Sequence, residues 1–194
     1  MNSIIPCSIP LPIRDLIPGT GIVAYNSRLH GRLHIARVMV HALILADKTN
    51  RQSLKTALWA AVFLHDIARQ HDGNCRMHGE WAIQKWLVSK EIQAILHHGG
   101  VAEQDYLMIT TAVVNHCLPE IPSNHTHYEL TAFLKDADGL DRVRLFDLNP
   151  RFLRFPESKG MIGFAEELYY LTEDYDHQSP ELMEWVWTAA ESIL

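Results

Sequence analysis

An almost wholly apolar run from Ala57 to Ile67 carries His65 and Asp66 side by side at its end. An ionised carboxylate in an apolar setting costs on the order of several kcal/mol even after relaxation, so such groups are paired, hydrogen-bonded or bound to a metal. The rest of the chain must supply the partner, and its twelve histidines are the feature of composition that offers one. Imidazole is the commonest metal ligand and the acid or base of neutral pH. In chain order the polar residues of helix-like segments run His34, His65-Asp66, His78, His116 and Asp138, each on or at the end of a different segment. Neighbouring residues on a helix diverge by about 100°, so His65 and Asp66 reach one ion only if it sits off the helix, where other helices add ligands. His34 and Asp138 are candidates for those ligands. Imidazoles with carboxylates suit a divalent transition metal (iron, manganese, cobalt, nickel or zinc) better than calcium.

The periodicity that must position these residues is helical nearly throughout, which predicts a single all-α domain of about seven to nine helices. Helices are expected over 27–48 with Ser27 as N-cap, 53–69 with Ser53 as cap, 77–90, and 91–98 closed by Gly99 and Gly100. Further helices are expected over 103–117, ended by Pro119 and Pro122, over 127–146 with Gly139 inside, over 160–175, and over 179–194 with Ser179 as cap and Pro180 at the first helical position. No convincing hairpin is visible. Residues 1–26, with Pro6, Pro10, Pro12 and Pro18, read as an extended arm along the surface, and 27–194 as the helical domain.

At 194 residues the chain suits one domain with a sizeable core, and its 47% hydrophobic and 21% charged residues are ordinary for a globular protein. No apolar run reaches the ~20 residues needed to span a bilayer, and the opening residues lack a signal peptide's basic and apolar regions. Cys7, Cys75 and Cys117, odd in number and without a Cys-x-x-Cys spacing, fit a reducing compartment, so the expected location is cytoplasmic. A formal charge of −6 argues against broad nucleic-acid binding but allows a local basic pocket for a phosphate. No Gly-rich phosphate loop is present, which disfavours a kinase.

The segments "RLHIARVMVHALILA", "AAVFLHDIAR" and "LKDADGLDRVR" together resemble the HD superfamily of metal-dependent phosphohydrolases, in which an H…HD…D set binds the metal; the resemblance spans residues 28–155. It implies His34, His65, Asp66 and Asp138 as ligands. Within "DADGLD" the family pattern selects Asp138, and helical geometry puts Asp136 about 200° away, with Asp141 close enough to partner a ligand. "MHGEWAI" is similar to a smaller branch with a further histidine on a later helix; there His78 and His116 would hold a second ion, with Asp66 bridging. The implied activity is hydrolysis of a nucleotide or other small phosphate ester, with Asp66 or a nearby imidazole taking a proton from water and Arg69 with Lys135 neutralising phosphate charge. The same resemblance admits a di-iron oxygenase that cleaves carbon–carbon or carbon–phosphorus bonds, and a nucleotide sensor without turnover.

Other residues carry milder expectations. His41 reads as a satisfied core histidine, His97-His98 as a helix C-terminus favoured by the macrodipole, and His30, His125 and His127 as loop or surface residues. The tryptophans at 81, 86, 185 and 187 read as helix-packing residues, and Arg144 as a solvated one.

Overall fold

The computed structural model describes residues 9–194; the expectations for Pro6 and Cys7 lie outside the described residues. Among these it contains nine α-helices and no strand. They are α1 Arg32–Lys48, α2 Lys55–Leu64, α3 His78–Val88, α4 Lys90–His98, α5 Tyr106–Asn115, α6 Tyr128–Leu140, α7 Pro156–Lys159, α8 Ile162–Thr172 and α9 Leu182–Ile193. None is long and apolar enough to cross a membrane.

Every residue of α1 from Arg32 to Ala46 is buried, so this helix has no solvent face and forms the centre. Helices α2, α6 and α9 pack on it, α5 lies across α2, α3 and α6, and α8 backs α9. The polar groups that α1 takes inside need partners. Arg32 donates to the carbonyls of Pro18 at 2.8 Å and Ser179 at 2.7 Å. His41 is only half satisfied, which departs from the expectation: its Nδ1 donates to Ala137 O at 3.3 Å, while Nε2 is buried without a partner among the described residues. Burial pushes its pKa down to about 4, so the ring stays neutral.

The helix ends correct several expectations. Ser27 does not cap α1, which starts at Arg32; its hydroxyl instead accepts the N–H groups of Leu29 and His30 in a preceding turn, and the Asn26 side chain accepts Arg32 N–H at 2.9 Å. Ser53 lies in a 3-10 turn ahead of α2, and Ser179 closes a short turn before α9 starts at Leu182. Helix α2 stops at Leu64 rather than Arg69, its chain tightening through the bonds Ile67 N–H to Leu64 O and Arg69 N–H to Asp66 O. Helix α6 ends at Leu140 and continues as a 3-10 turn, while α7 lies in a stretch expected to be loop. In the arm, Ile9, Leu16, Ile17, Ile22 and Val23 are buried in the core, and Trp59 on α2 donates its indole N–H to Leu16 O at 2.9 Å. Trp86 and Trp187 are core residues, whereas Trp185 is 42% exposed because it lies on the outer face of α9.

Candidate metal centre

Five helix ends meet at one place. His34 comes from the first turn of α1, His65 is the C-cap of α2 with Asp66 just beyond it, His78 opens α3, His116 is the C-cap of α5, and Asp138 is in the last turn of α6. All six residues singled out from the sequence are brought together. One oxygen of the buried Asp66 lies 3.6 Å from His34 Nε2 and 4.0 Å from His65 Nε2; the other lies 3.2 Å from His78 Nε2 and 3.9 Å from His116 Nε2. Asp138 reaches His34 Nε2 at 3.3 Å. The carboxylate of Asp66 thus stands between two pairs of imidazoles.

The ring nitrogens show what charge this arrangement suits. His65, His78 and His116 each set Nδ1 against a backbone carbonyl, of Val62 at 2.7 Å, Cys75 at 2.9 Å and Val113 at 2.5 Å, and His34 sets Nδ1 against Asp141 at 2.7 Å. A carbonyl only accepts, so Nδ1 carries the hydrogen and each neutral ring keeps its lone pair on Nε2. Those Nε2 atoms face one another, His34 to His65 at 3.3 Å and His78 to His116 at 2.8 Å. Facing lone pairs repel unless a cation lies within reach of both. Donors sharing one ion at about 2.1 Å stand about 3–3.4 Å apart, which several of these separations match. The residues therefore fit a divalent ion, and the buried His34, His65 and Asp66 form a group able to hold one.

With protons as the only cations, the same pairs share them unequally. Burial and Arg144 oppose a charge on His34, but Asp138 and Asp141 outweigh them and raise its pKa. Burial likewise opposes charge on His78, yet Asp66 and Cys117 push it up to about 10; burial pushes His65 down to about 4. Burial raises the pKa of Asp66, and the surrounding imidazoles reverse that to hold it well below the usual carboxylate range. Asp138 is held down in the same way, chiefly by His34.

The supports lie one layer out. Asp141 takes Arg37 at 2.6 Å and Arg144 at 3.2 Å, so its charge is balanced while it orients His34. Arg144 is accordingly buried, not solvated as expected, with its Nε–H donated to Leu29 O at 2.9 Å. Gly79 lets α3 approach α5: a Cβ there would lie 2.3 Å from Val113 O, so no larger residue could leave His78 beside His116 undisturbed. Asp136 points elsewhere, fully buried against the 154–158 segment.

Two adjoining cavities of about 460 and 550 Å³ open over the cluster and share His116, Leu118, Asp138 and Arg142. Arg69 lines the larger one, but its guanidinium also braces the loop carbonyls of His71 at 3.1 Å and Gly73 at 2.8 Å. Lys135 lines the smaller one with its ammonium on Leu118 O at 2.8 Å. Arg142 faces both cavities, and its ion-pair partner is the exposed Asp147.

Three residues went unrecognised in the sequence. Cys117 brings a sulfur within 4.8 Å of the His78 and His116 nitrogens, a position signalled only by its following His116. His30 lies in the wall of the larger cavity with Asp72, not on the open surface, because the turn that precedes α1 folds over the cluster. The chain matches no family model, no curated protein and no solved structure.

Proposed function

We propose that this protein is a metal-dependent phosphohydrolase of the HD type, acting on a nucleotide or another small phosphate ester. The observation that carries the reading is Asp66, whose two oxygens each serve a separate imidazole pair: His34 and His65 with Asp138 on one side, His78 and His116 on the other. That donor set suits iron, manganese, cobalt, nickel or zinc: His34, His65, Asp66 and Asp138 would hold one ion, and His78 with His116 could hold a second. A bound divalent ion lowers the pKa of water toward ~7 and polarises a phosphoryl oxygen.

The chain's own residues supply the rest. Asp66 has both oxygens against imidazoles and almost no exposure, and His34 holds the Asp138 carboxyl well below the usual range, so both are ligands first and a nearby imidazole of the cleft is the better acceptor for the water's proton. Arg69, Lys135 and Arg142 line the cavities where phosphate oxygens would lie. Cation and cavity together favour a small anionic substrate over nucleic acid.

Reconstitution with each of the five metals, followed by phosphate release across a panel of nucleotides and sugar phosphates, tests the reading; metal-dependent release from at least one ester is the expected result. An iron-loaded protein that consumes dioxygen stoichiometrically and releases no phosphate would favour the oxygenase instead, as would tight nucleotide binding without turnover for the sensor. The ion count has its own test. Changing His78 and His116 together to alanine should roughly halve bound metal if a second ion is bridged by Asp66. A single-ion enzyme would keep its full complement in that variant and lose only part of its rate.

A further inference from the structure

The two sides of Asp66 are not equally furnished. On the first, the imidazoles of His34 and His65 meet the carboxylates of Asp66 and Asp138. On the second, His78 and His116 set Nε2 against Nε2 at 2.8 Å, and Asp66 lends one oxygen at 3.2 and 3.9 Å from them, which leaves that side one donor short of a tetrahedral set. The other carboxylates lining the larger cavity are already engaged: Asp138 stands on His34, and Asp72 accepts the Ser27 hydroxyl and faces the His30 ring. The group that reaches the second side is the thiol of Cys117, the residue after the C-cap of α5, whose sulfur lies within 4.8 Å of a nitrogen of each histidine.

That thiol has little to give up. Its contacts are Arg76 O at 3.4 Å and Val114 O at 3.8 Å, long hydrogen bonds from a weak donor. The imidazoles beside it are almost completely buried, and their Nδ1 atoms stay fixed on the carbonyls of Cys75 and Val113. We infer that Cys117 is a ligand of the second ion, so that one cleft holds two sites of unlike chemistry. The first offers two nitrogens and two carboxylate oxygens; the second offers two nitrogens, one carboxylate oxygen and one sulfur. The inference rests on the two-ion form of the reading above and not on the reaction. As the ion enters, the thiol proton passes to solvent and the sulfur binds as thiolate. A thiolate is a soft donor, so the second site selects zinc or iron over manganese, which the harder first set still accepts.

Cobalt(II) is the probe, because it takes zinc's place and a cobalt–thiolate bond gives a charge-transfer band in the near ultraviolet that nitrogen and oxygen ligands alone do not give. Metal-free protein titrated with cobalt should develop that band as the second equivalent binds. Cys117→Ser should lack the band, hold the second equivalent on the order of 10²-fold more weakly and keep the first unchanged. Cys75→Ser changes the other thiol in the wall of the cavity and should keep the band. Two bound equivalents without a band in the unmodified protein, a band that survives Cys117→Ser, or one lost in Cys75→Ser instead, each overturns the role of Cys117 and leaves the two-ion centre standing. If only one equivalent binds, and stays when His78 and His116 are both changed to alanine, the two-ion form fails and this inference with it. Phosphate release plays no part in the readout, so failure of the hydrolase reading is told apart from failure of the sulfur ligand.

Discussion

Asp66→Asn should leave the protein folded, remove at least half of its bound metal and abolish activity. The amide has nearly the same shape as the carboxylate, so the fully buried site keeps its packing. It has one oxygen instead of two, and the amide nitrogen must then face either the His34–His65 pair or the His78–His116 pair. On that side a donor meets imidazole nitrogens that already hold lone pairs, which satisfies them with a hydrogen bond and removes the ligand. Changing a group that only orients a metal ligand costs about 10–100-fold, so losing a shared ligand should cost more, on the order of 10³-fold or greater in activity. Metal analysis beside circular dichroism reads the result: metal at no more than half the wild-type content with unchanged helicity. A variant that binds metal in full would show that Asp66 is not a ligand and that His65-Asp66 carries a different role.

What was legible in the sequence, and what was not, follows from the range of the forces involved. The helices of the core and the six residues of the cluster were legible because apolar periodicity and polar residues at helix ends are local signals. The helix limits were less so. Ser27 and Ser179 have the chemistry of caps but spend it on turns ahead of the helices, a choice made by where Asn26 and Arg32 find partners across the fold. The layer behind the cluster was hidden for the same reason. Arg144 has the charge of a surface residue, and only Asp141 and Leu29 O, met through tertiary contact, draw it inside. His30 and Asp72 are separated by 42 positions in two loops, where no periodicity links them. A glycine gave more than it promised: Gly79 reads as a weak helix former, yet its missing side chain is what allows α3 to lie against α5.

The aspartates of "DADGLD" should separate stability from chemistry. Asp138→Ala should abolish activity and most metal binding at little cost to the fold, because its partly exposed side chain meets His34 and the cleft and braces no backbone. Asp136→Ala should do the reverse. Its carboxylate is fully buried and accepts the backbone N–H groups of Arg154 at 2.8 Å and Phe155 at 2.9 Å, the Ser158 hydroxyl at 2.5 Å and the Arg154 guanidinium at 2.9 Å. Removing it strands several donors in a site that water does not reach, a loss of about 3–5 kcal/mol. For a chain of this size that lowers the melting temperature by about 6–20 °C, while protein that remains folded below the transition keeps most of its activity. Two residues apart on α6 and about 200° around it, these carboxylates face different neighbours, and the pair of variants reads that geometry directly. Melting curves and activity measured side by side check it. Equal loss of activity from both variants, with both still folded, would mean that Asp136 also acts at the cluster and that α6 does not present Asp138 alone to His34.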